Sequence, residues 1–172
     1  MSAAPTVLVV MGVSGSGKTT VGKLLAERLG WTFEEGDDLH PAANIAKMKA
    51  GHPLTDADRA PWLEAIGRWI DDCLKAGRSG VITCSALKRA YRDQLADGRP
   101  QVKFVFLDLD QATIAERLKH RRGHFMPPSL LASQFADLQA PGDDEPVIRT
   151  DGRQSSQAQA QSVIDQLRGG TC

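Results

Sequence analysis

Residues 6–20 read Thr6, Val7, Leu8, Val9, Val10, Met11, Gly12, Val13, Ser14, Gly15, Ser16, Gly17, Lys18, Thr19 and Thr20. An apolar run of strand length gives way to a glycine-rich turn, after which Val21, Leu24, Leu25 and Leu29 recur at helical spacing. The segment therefore reads as strand, loop and helix. Gly12 to Thr19 match GxxxxGK[ST] in full and in the setting that pattern needs, after a strand and opening a helix. Glycines let the backbone turn sharply and aim successive N–H groups at phosphate oxygens, and the helix adds its positive end. Gly12, Ser14, Gly15, Ser16, Gly17, Lys18, Thr19 and Thr20 are thus expected to cradle a nucleotide's phosphates. Lys18 would reach the β- and γ-phosphates, and the Thr19 hydroxyl would meet Mg²⁺.

Working outward, strand-like runs occur at Thr6 to Met11, Val81 to Cys84 and Val102 to Leu107, with weaker ones at Thr32 to Glu34 and Val147 to Arg149. Helical patterns lie between them, as at Trp62, Ile66, Trp69, Ile70 and Cys73, at Ile114, Ala115 and Leu118, and at Val163, Ile164 and Leu167. Alternation of short strands with helices implies right-handed crossovers and a mostly parallel sheet covered on both faces. Five strands are expected. Clusters of Gly, Pro and Asp near 36–41, 51–58, 97–100, 123–128 and 141–146 read as loops. One domain spanning residues 1–172 is expected, without repeat or linker.

Composition narrows the classes. Lys plus Arg and Asp plus Glu number 21 each, which argues against a general nucleic-acid binder, since that needs a basic excess. There is no long apolar run for a membrane span. Cys73, Cys84 and Cys172 form no CxxC pair, so neither a disulfide framework nor a zinc site is expected. The first residues carry no basic, apolar leader pattern, and the cytoplasm is the expected location.

Asn44 is the sole asparagine, which excludes the Asn-Lys-x-Asp guanine motif of switch GTPases. Asp108 follows an apolar strand as a Walker B carboxylate would, but it or Asp110 could instead cap the helix near Gln111, the reading favoured here. Asp37 and Asp38 stand at the carboxyl end of the second strand, where open α/β sheets face their ligands. One aspartate could take the proton from an accepting hydroxyl, and the other could serve a turn leading into a helix with Pro41 at its first position. Lys119, His120, Arg121, Arg122, Gly123 and His124 form the densest basic run. A nucleic-acid patch is one reading; a mobile lid around 119–128, closing arginines over ATP phosphates, fits better. Arg59, Lys88, Arg89 and Arg92 remain, the last three on one expected helix with Lys88 and Arg92 sharing a face. Such cations suit an anionic, hydroxyl-bearing acceptor. The residues therefore point to an ATP-dependent kinase of a small anionic molecule.

Four stretches then carry a resemblance over nearly the whole chain: MGVSGSGKTT, GDDLHPAANIAKMKAGHPLTDADRAPWL, CSALKRAYRDQL and ERLKHRRGHFMPPSLLASQFADLQAPGDDE. The sequence resembles the bacterial gluconate kinase family, itself similar in fold to shikimate and adenylate kinases. The resemblance implies a P-loop three-layer α/β fold, with a five-stranded parallel sheet in the order 2-3-1-4-5, helices on both faces and a lid. It implies transfer of the ATP γ-phosphoryl group to the 6-hydroxyl of D-gluconate, with Mg²⁺, in proteins that commonly form homodimers. By the same likeness Asp37 is the base, Arg59 holds a substrate carboxylate, and Arg117 and Arg121 serve adenine and phosphate. Ser85 lies beside the acceptor, and His40, Lys88, Arg92, His124 and Gln139 contact gluconate. Many relatives are expected to carry Asp two residues before the base, where this chain has Glu35, which could organise Mg²⁺ through water. A kinase of shikimate or a nucleoside monophosphate, or a non-catalytic nucleotide-binding module, are the rival readings.

Overall fold

The computed structural model describes residues 4–13, 15–119 and 128–169. Five parallel strands form one sheet in the order β2-β3-β1-β4-β5: β1 (Val7–Met11), β2 (Thr32–Glu34), β3 (Gly80–Thr83), β4 (Val102–Asp108) and β5 (Val147–Asp151). The expected topology is borne out. β1 pairs with β3 from Val7 opposite Gly80 and with β4 from Val7 opposite Val102, so it is central. All five of its side chains are buried, as a strand covered on both faces requires.

Successive side chains of a strand point to opposite faces, and the core divides accordingly. Val7, Val9 and Met11, with Ile82, Phe104 and Phe106, pack under α3 (Asp56–Lys75) and α4 (Arg89–Ala96) through Trp62, Ile66, Ile70, Tyr91 and Leu95. Leu8 and Val10, with Val81, Val105 and Leu107, pack under α1 (Lys18–Leu29) and α7 (Ser156–Gly169) through Val21, Leu25, Ala160, Val163 and Ile164. Fully burying each such aliphatic side chain stabilises the fold by about 1.5–3 kcal/mol.

Three helices frame the carboxyl ends of the strands. α2 (Ala42–Lys49) starts one residue later than expected, with Pro41 as its cap residue. α5 (Gln111–Lys119) is capped by Asp110, whose Oδ1 accepts from Thr113 N at 2.7 Å, which favours the capping reading of the Asp108 and Asp110 pair. α6 (Pro128–Asp137) follows. The loop expected at 51–58 ends early because Thr55 and Asp58 form a reciprocal capping box that starts α3 at Asp56. The expected lid at 119–128 lies, between the ends of α5 and α6, outside the described residues at 120–127.

Candidate active site

The loop after β1 takes backbone angles that side chains resist. Gly12, Gly15 and Gly17 have φ of 144°, 84° and 97°, and Gly17 opens α1 without any side-chain cap. First-turn N–H groups of α1 are therefore directed at the loop. Lys18 Nζ donates to the Gly12 and Val13 carbonyls at 2.9 and 3.1 Å, folding the ammonium back along the turn. Burial lowers its pKa, while Asp37, Cys84 and Glu35 pull the other way. Ser16 Oγ, in the same turn, is the one buried side-chain polar atom without a partner among the described residues. An orphaned hydroxyl and a glycine cradle at a helix end fit a phosphate chain. Ser14 lies outside the described residues.

Beyond α1 the carboxylate of Glu35 joins two hydroxyls. Oε2 accepts from Thr19 Oγ1 at 2.5 Å, and Oε1 accepts from Thr83 Oγ1. Thr83 Oγ1 also accepts from Gly36 N at 3.0 Å. This seats β2's exit against β3 so closely that a Cβ at Gly36 would stand 1.7 Å from the Thr83 carbonyl oxygen. Only glycine fits there. The pair Thr19 and Glu35 offers oxygen donors suited to Mg²⁺ beside the phosphate loop.

Gly36–Leu39 then form one 3₁₀ turn that presents Asp37 and Asp38. Of the two aspartates it is Asp37 that acts electrostatically on Lys18, Cys84 and His40. Its side chain is 65% exposed and lies 3.9 Å from His40 Nε2. His40 is buried and stacks on Trp62, ring centroids 4.1 Å apart, while Trp62 Nε1 donates to the Gly36 carbonyl at 2.8 Å. Burial holds the His40 pKa below its ordinary value; Arg59 adds to that and Asp37 opposes it. Burial also pushes the Cys84 thiol up to about 12, so it stays protonated at neutral pH.

A third group gathers where α3, α4 and α6 meet. Arg59 donates to Tyr91 Oη at 2.8 Å and to Asp137 Oδ2 at 3.2 Å. Lys88 Nζ donates to Asp56 Oδ1 at 2.9 Å, and Tyr91 Oη donates to the same oxygen. Both cations also lie against the Tyr91 ring, at 5.5 and 5.8 Å from its centre. Arg59 and Lys88 are thus brought together, linked through Tyr91. Ser85 is half-buried and fixes the loop from its backbone, its carbonyl accepting from Gly12 N at 3.2 Å.

Arg92 is placed differently from the expectation. Lys88 is the cap residue of α4 rather than part of it, so the two cations do not share a helical face. The Arg92 side chain is 1% exposed and pairs with the 3% exposed Glu145 at 2.7 Å. It also donates to the carbonyls of Ala86, Leu87 and Gln139. Every arm of the guanidinium is occupied by protein, which removes it from the acceptor-binding set. Ala86 has φ 45°, a strained setting for a non-glycine residue, and Arg92 holds its carbonyl. Gln139 is likewise engaged: its Oε1 accepts from Arg89 N at 2.8 Å, capping α4. Arg117 donates to the Gly152 carbonyl at 3.0 Å, and Asp151 and Arg153 on either side line a cleft of about 470 Å³ at the ends of β4 and β5. Arg121 and His124 lie outside the described residues. Reasoning from sequence missed Thr83, Tyr91, Asp56 and Asp137 as members of the site. Tyr91, three residues after Lys88, carried the one usable signal, whereas Asp56 and Asp137 look like ordinary helix-end charges.

A phosphate loop at a helix end, a carboxylate facing its lysine and paired cations beyond it define a P-loop kinase of small molecules. Residues 7–141 match the family described as an AAA domain. The chain is 55% identical over 164 residues to the gluconokinase of Gluconobacter oxydans (strain 621H), covering 95% of this chain and 92% of that one. A solved gluconokinase from Sinorhizobium meliloti 1021 is 43% identical, covers 99% of this chain and 100% of its own, and superposes with a TM-score of 0.84. An unliganded sugar kinase from Janibacter sp. HTCC2649 is 48% identical with a TM-score of 0.91, at 95% coverage of both chains. The chain belongs to the gluconokinase family.

Proposed function

We propose that this chain transfers the γ-phosphoryl group of ATP to the 6-hydroxyl of D-gluconate, giving 6-phosphogluconate and ADP. The observation that carries the acceptor class is the convergence of Arg59 and Lys88 on Tyr91, with Arg59 also acting on the His40 ring that lies beside Asp37. Kinship with gluconokinases narrows that class to gluconate. Lys18 leaves the loop carbonyls to meet the β- and γ-phosphates, and the first-turn N–H groups of α1 hold the chain of phosphates in line. Mg²⁺, when bound, neutralises phosphate charge. Thr19 would ligate it, and Glu35 would orient its waters. Asp37 accepts the proton of the attacking hydroxyl.

Arg59 and Lys88 are engaged by Asp137 and Asp56 in this structure, so the gluconate carboxylate has to compete with two protein carboxylates for them. The chemistry of each contact is the same, a charge-assisted hydrogen bond. Arg117 and the cleft beyond Gly152 lie on the opposite side of the phosphate loop, the side left for the adenine.

A coupled ADP-release assay over gluconate, glucose, shikimate and nucleoside monophosphates tests the reading. Glucose offers the same hydroxyl without charge, and leaving the cations unpaired is expected to cost it roughly a thousandfold in kcat/KM. Arg59→Ala and Lys88→Ala should raise KM for gluconate and leave KM for ATP nearly unchanged. Comparable turnover of glucose and gluconate would overturn the assignment.

A further inference from the structure

Asn44 is buried in the first turn of α2, and a buried amide is costly unless its groups are paired. Its Nδ2 lies 2.8 Å from the Asp58 carbonyl, an oxygen that can only accept, so this atom is the amide nitrogen. The same Nδ2 lies 3.2 Å from His40 Nδ1. Nδ1 is therefore the acceptor. A neutral imidazole then carries its proton on Nε2, which faces Asp37 Oδ1 at 3.9 Å. The stack on Trp62, itself anchored to Gly36, fixes the plane of the His40 ring at an interplanar angle of 13°, and the Asn44 contact selects between its two half-turn orientations.

The charged groups facing His40 are Asp37, from its own turn, and Arg59, from α3. Arg59 and burial both oppose a second positive charge there. An imidazolium would pair off the negative charge that has to receive a proton, whereas a neutral N–H orients a carboxylate and leaves that charge in place. At 3.9 Å the contact is longer than a hydrogen bond. Asp37 is exposed enough to close it by a side-chain rotation.

We propose that Asn44 is a positioning residue for phosphoryl transfer, locking His40 as the neutral Nε2–H tautomer so that this N–H aims the Asp37 carboxylate at the acceptor hydroxyl. The role rests on Asp37 being the base. A purely structural Asn44, tying α2 to α3 through Asp58, is the alternative.

The first readout needs no acceptor. The chain has four histidines, so ring ¹⁵N spectra of the labelled full-length protein are assignable by the loss of one set in His40→Gln. The expected result at pH 7 is an unprotonated Nδ1 and a protonated Nε2, with a tautomer mixture in Asn44→Ala. The second readout is kinetic. Asn44→Ala should lower kcat by about ten- to a hundredfold, the scale for partners that orient a reacting group, with KM for ATP little changed. His40→Gln keeps an amide N–H near the Nε2 position and should retain most of kcat. His40→Phe keeps only the stack and should lose it. An Nδ1–H tautomer in the unsubstituted protein, equal losses in His40→Gln and His40→Phe, or a folded Asn44→Ala with unchanged kcat would each overturn the proposal. If Asn44→Ala does not fold, the tautomer and the His40 pair still decide. Should Asp37→Asn keep full kcat while the tautomer is as expected, it is the base assignment that fails.

Discussion

Replacing Arg92 with methionine separates a structural guanidinium from a substrate-binding one. The substitution keeps the length of the buried stem but removes the cation, leaving the Glu145 carboxylate 3% exposed with Gly142 N as its remaining donor, at 2.8 Å. Burial by itself pushes the Glu145 carboxyl up, and the hydrogen bonds from Arg92 and Gly142 bring it below its ordinary value. Removing one partner of such a pair costs about 3–5 kcal/mol. The carbonyls of Ala86 and Gln139 lose the Arg92 donor as well, whereas that of Leu87 keeps Gln139 N at 2.8 Å. For a chain of this length about 1 kcal/mol moves the midpoint by roughly 2–4 °C, so Tm should fall by about 6–20 °C. Thermal unfolding by circular dichroism at pH 7 measures this, beside steady-state kinetics well below the new midpoint. Glu145→Gln added to Arg92→Met should recover part of the loss, because it removes the stranded charge and keeps an acceptor for Gly142. An Arg92→Met variant with an unchanged midpoint and a gluconate KM raised about tenfold would refute the reasoning and return Arg92 to the acceptor site.

Asp37→Asn should reduce kcat about a hundredfold or more with little effect on ATP binding, and Asp38→Asn should be far milder; single-turnover assays with each variant would show a wrong assignment as a reversed order. Gly36→Ala should fail to reach the native state at growth temperature, since its Cβ would meet the Thr83 carbonyl oxygen at 1.7 Å, and a soluble variant with an unchanged midpoint would contradict the close approach. His40 contributes a pH dependence whose sign is fixed by its lowered pKa: the unfolded chain binds a proton that the folded one resists, so this stability is complete above about 6.5 and is lost as pH falls toward the folded value. Midpoints measured from pH 7 to 5 should therefore drop more steeply for the unsubstituted protein than for His40→Gln, and parallel curves would show that His40 titrates normally.

The sheet was readable because its central strands are buried on both faces and appear as unbroken apolar runs, and because the glycine turn could be tied to both its strand and its helix. α2 was harder. Its apolar pattern is weak, Ile45 is 38% exposed, and the helix is held by Asn44, whose partners Asp58 and His40 only the fold brings together. Arg92 shows the limit of spacing arguments. Four residues from Lys88 it looks like a neighbour on one face, but α4 begins between them and the carboxylate that claims it lies 53 residues on. Likeness to other kinases offers Arg59 as an acceptor contact, whereas its partners Tyr91 and Asp137, 32 and 78 residues away, are found only in the fold. Likeness to other kinases points to Asp37 rather than Asp38, and Asp37 is the one of the two that acts electrostatically on Lys18.

The strand order divides the chain by inheritance as well as by geometry. Asp37, His40, Asn44, Arg59 and Lys88 all come from the stretch between β2 and α4, on the β2 and β3 flank, whereas Arg117 and Gly152 belong to the β4 and β5 flank. On the proposed assignment, acceptor preference can drift during evolution through one contiguous segment while the phosphate loop and Arg117 are left in place. A graft of residues 35–92 from a relative of different taste should carry its selectivity with it. The contact from Arg59 to Asp137 crosses the divide. Asp137 would have to travel with the graft, and a chimera made without it should bear a mispaired arginine in the new pocket.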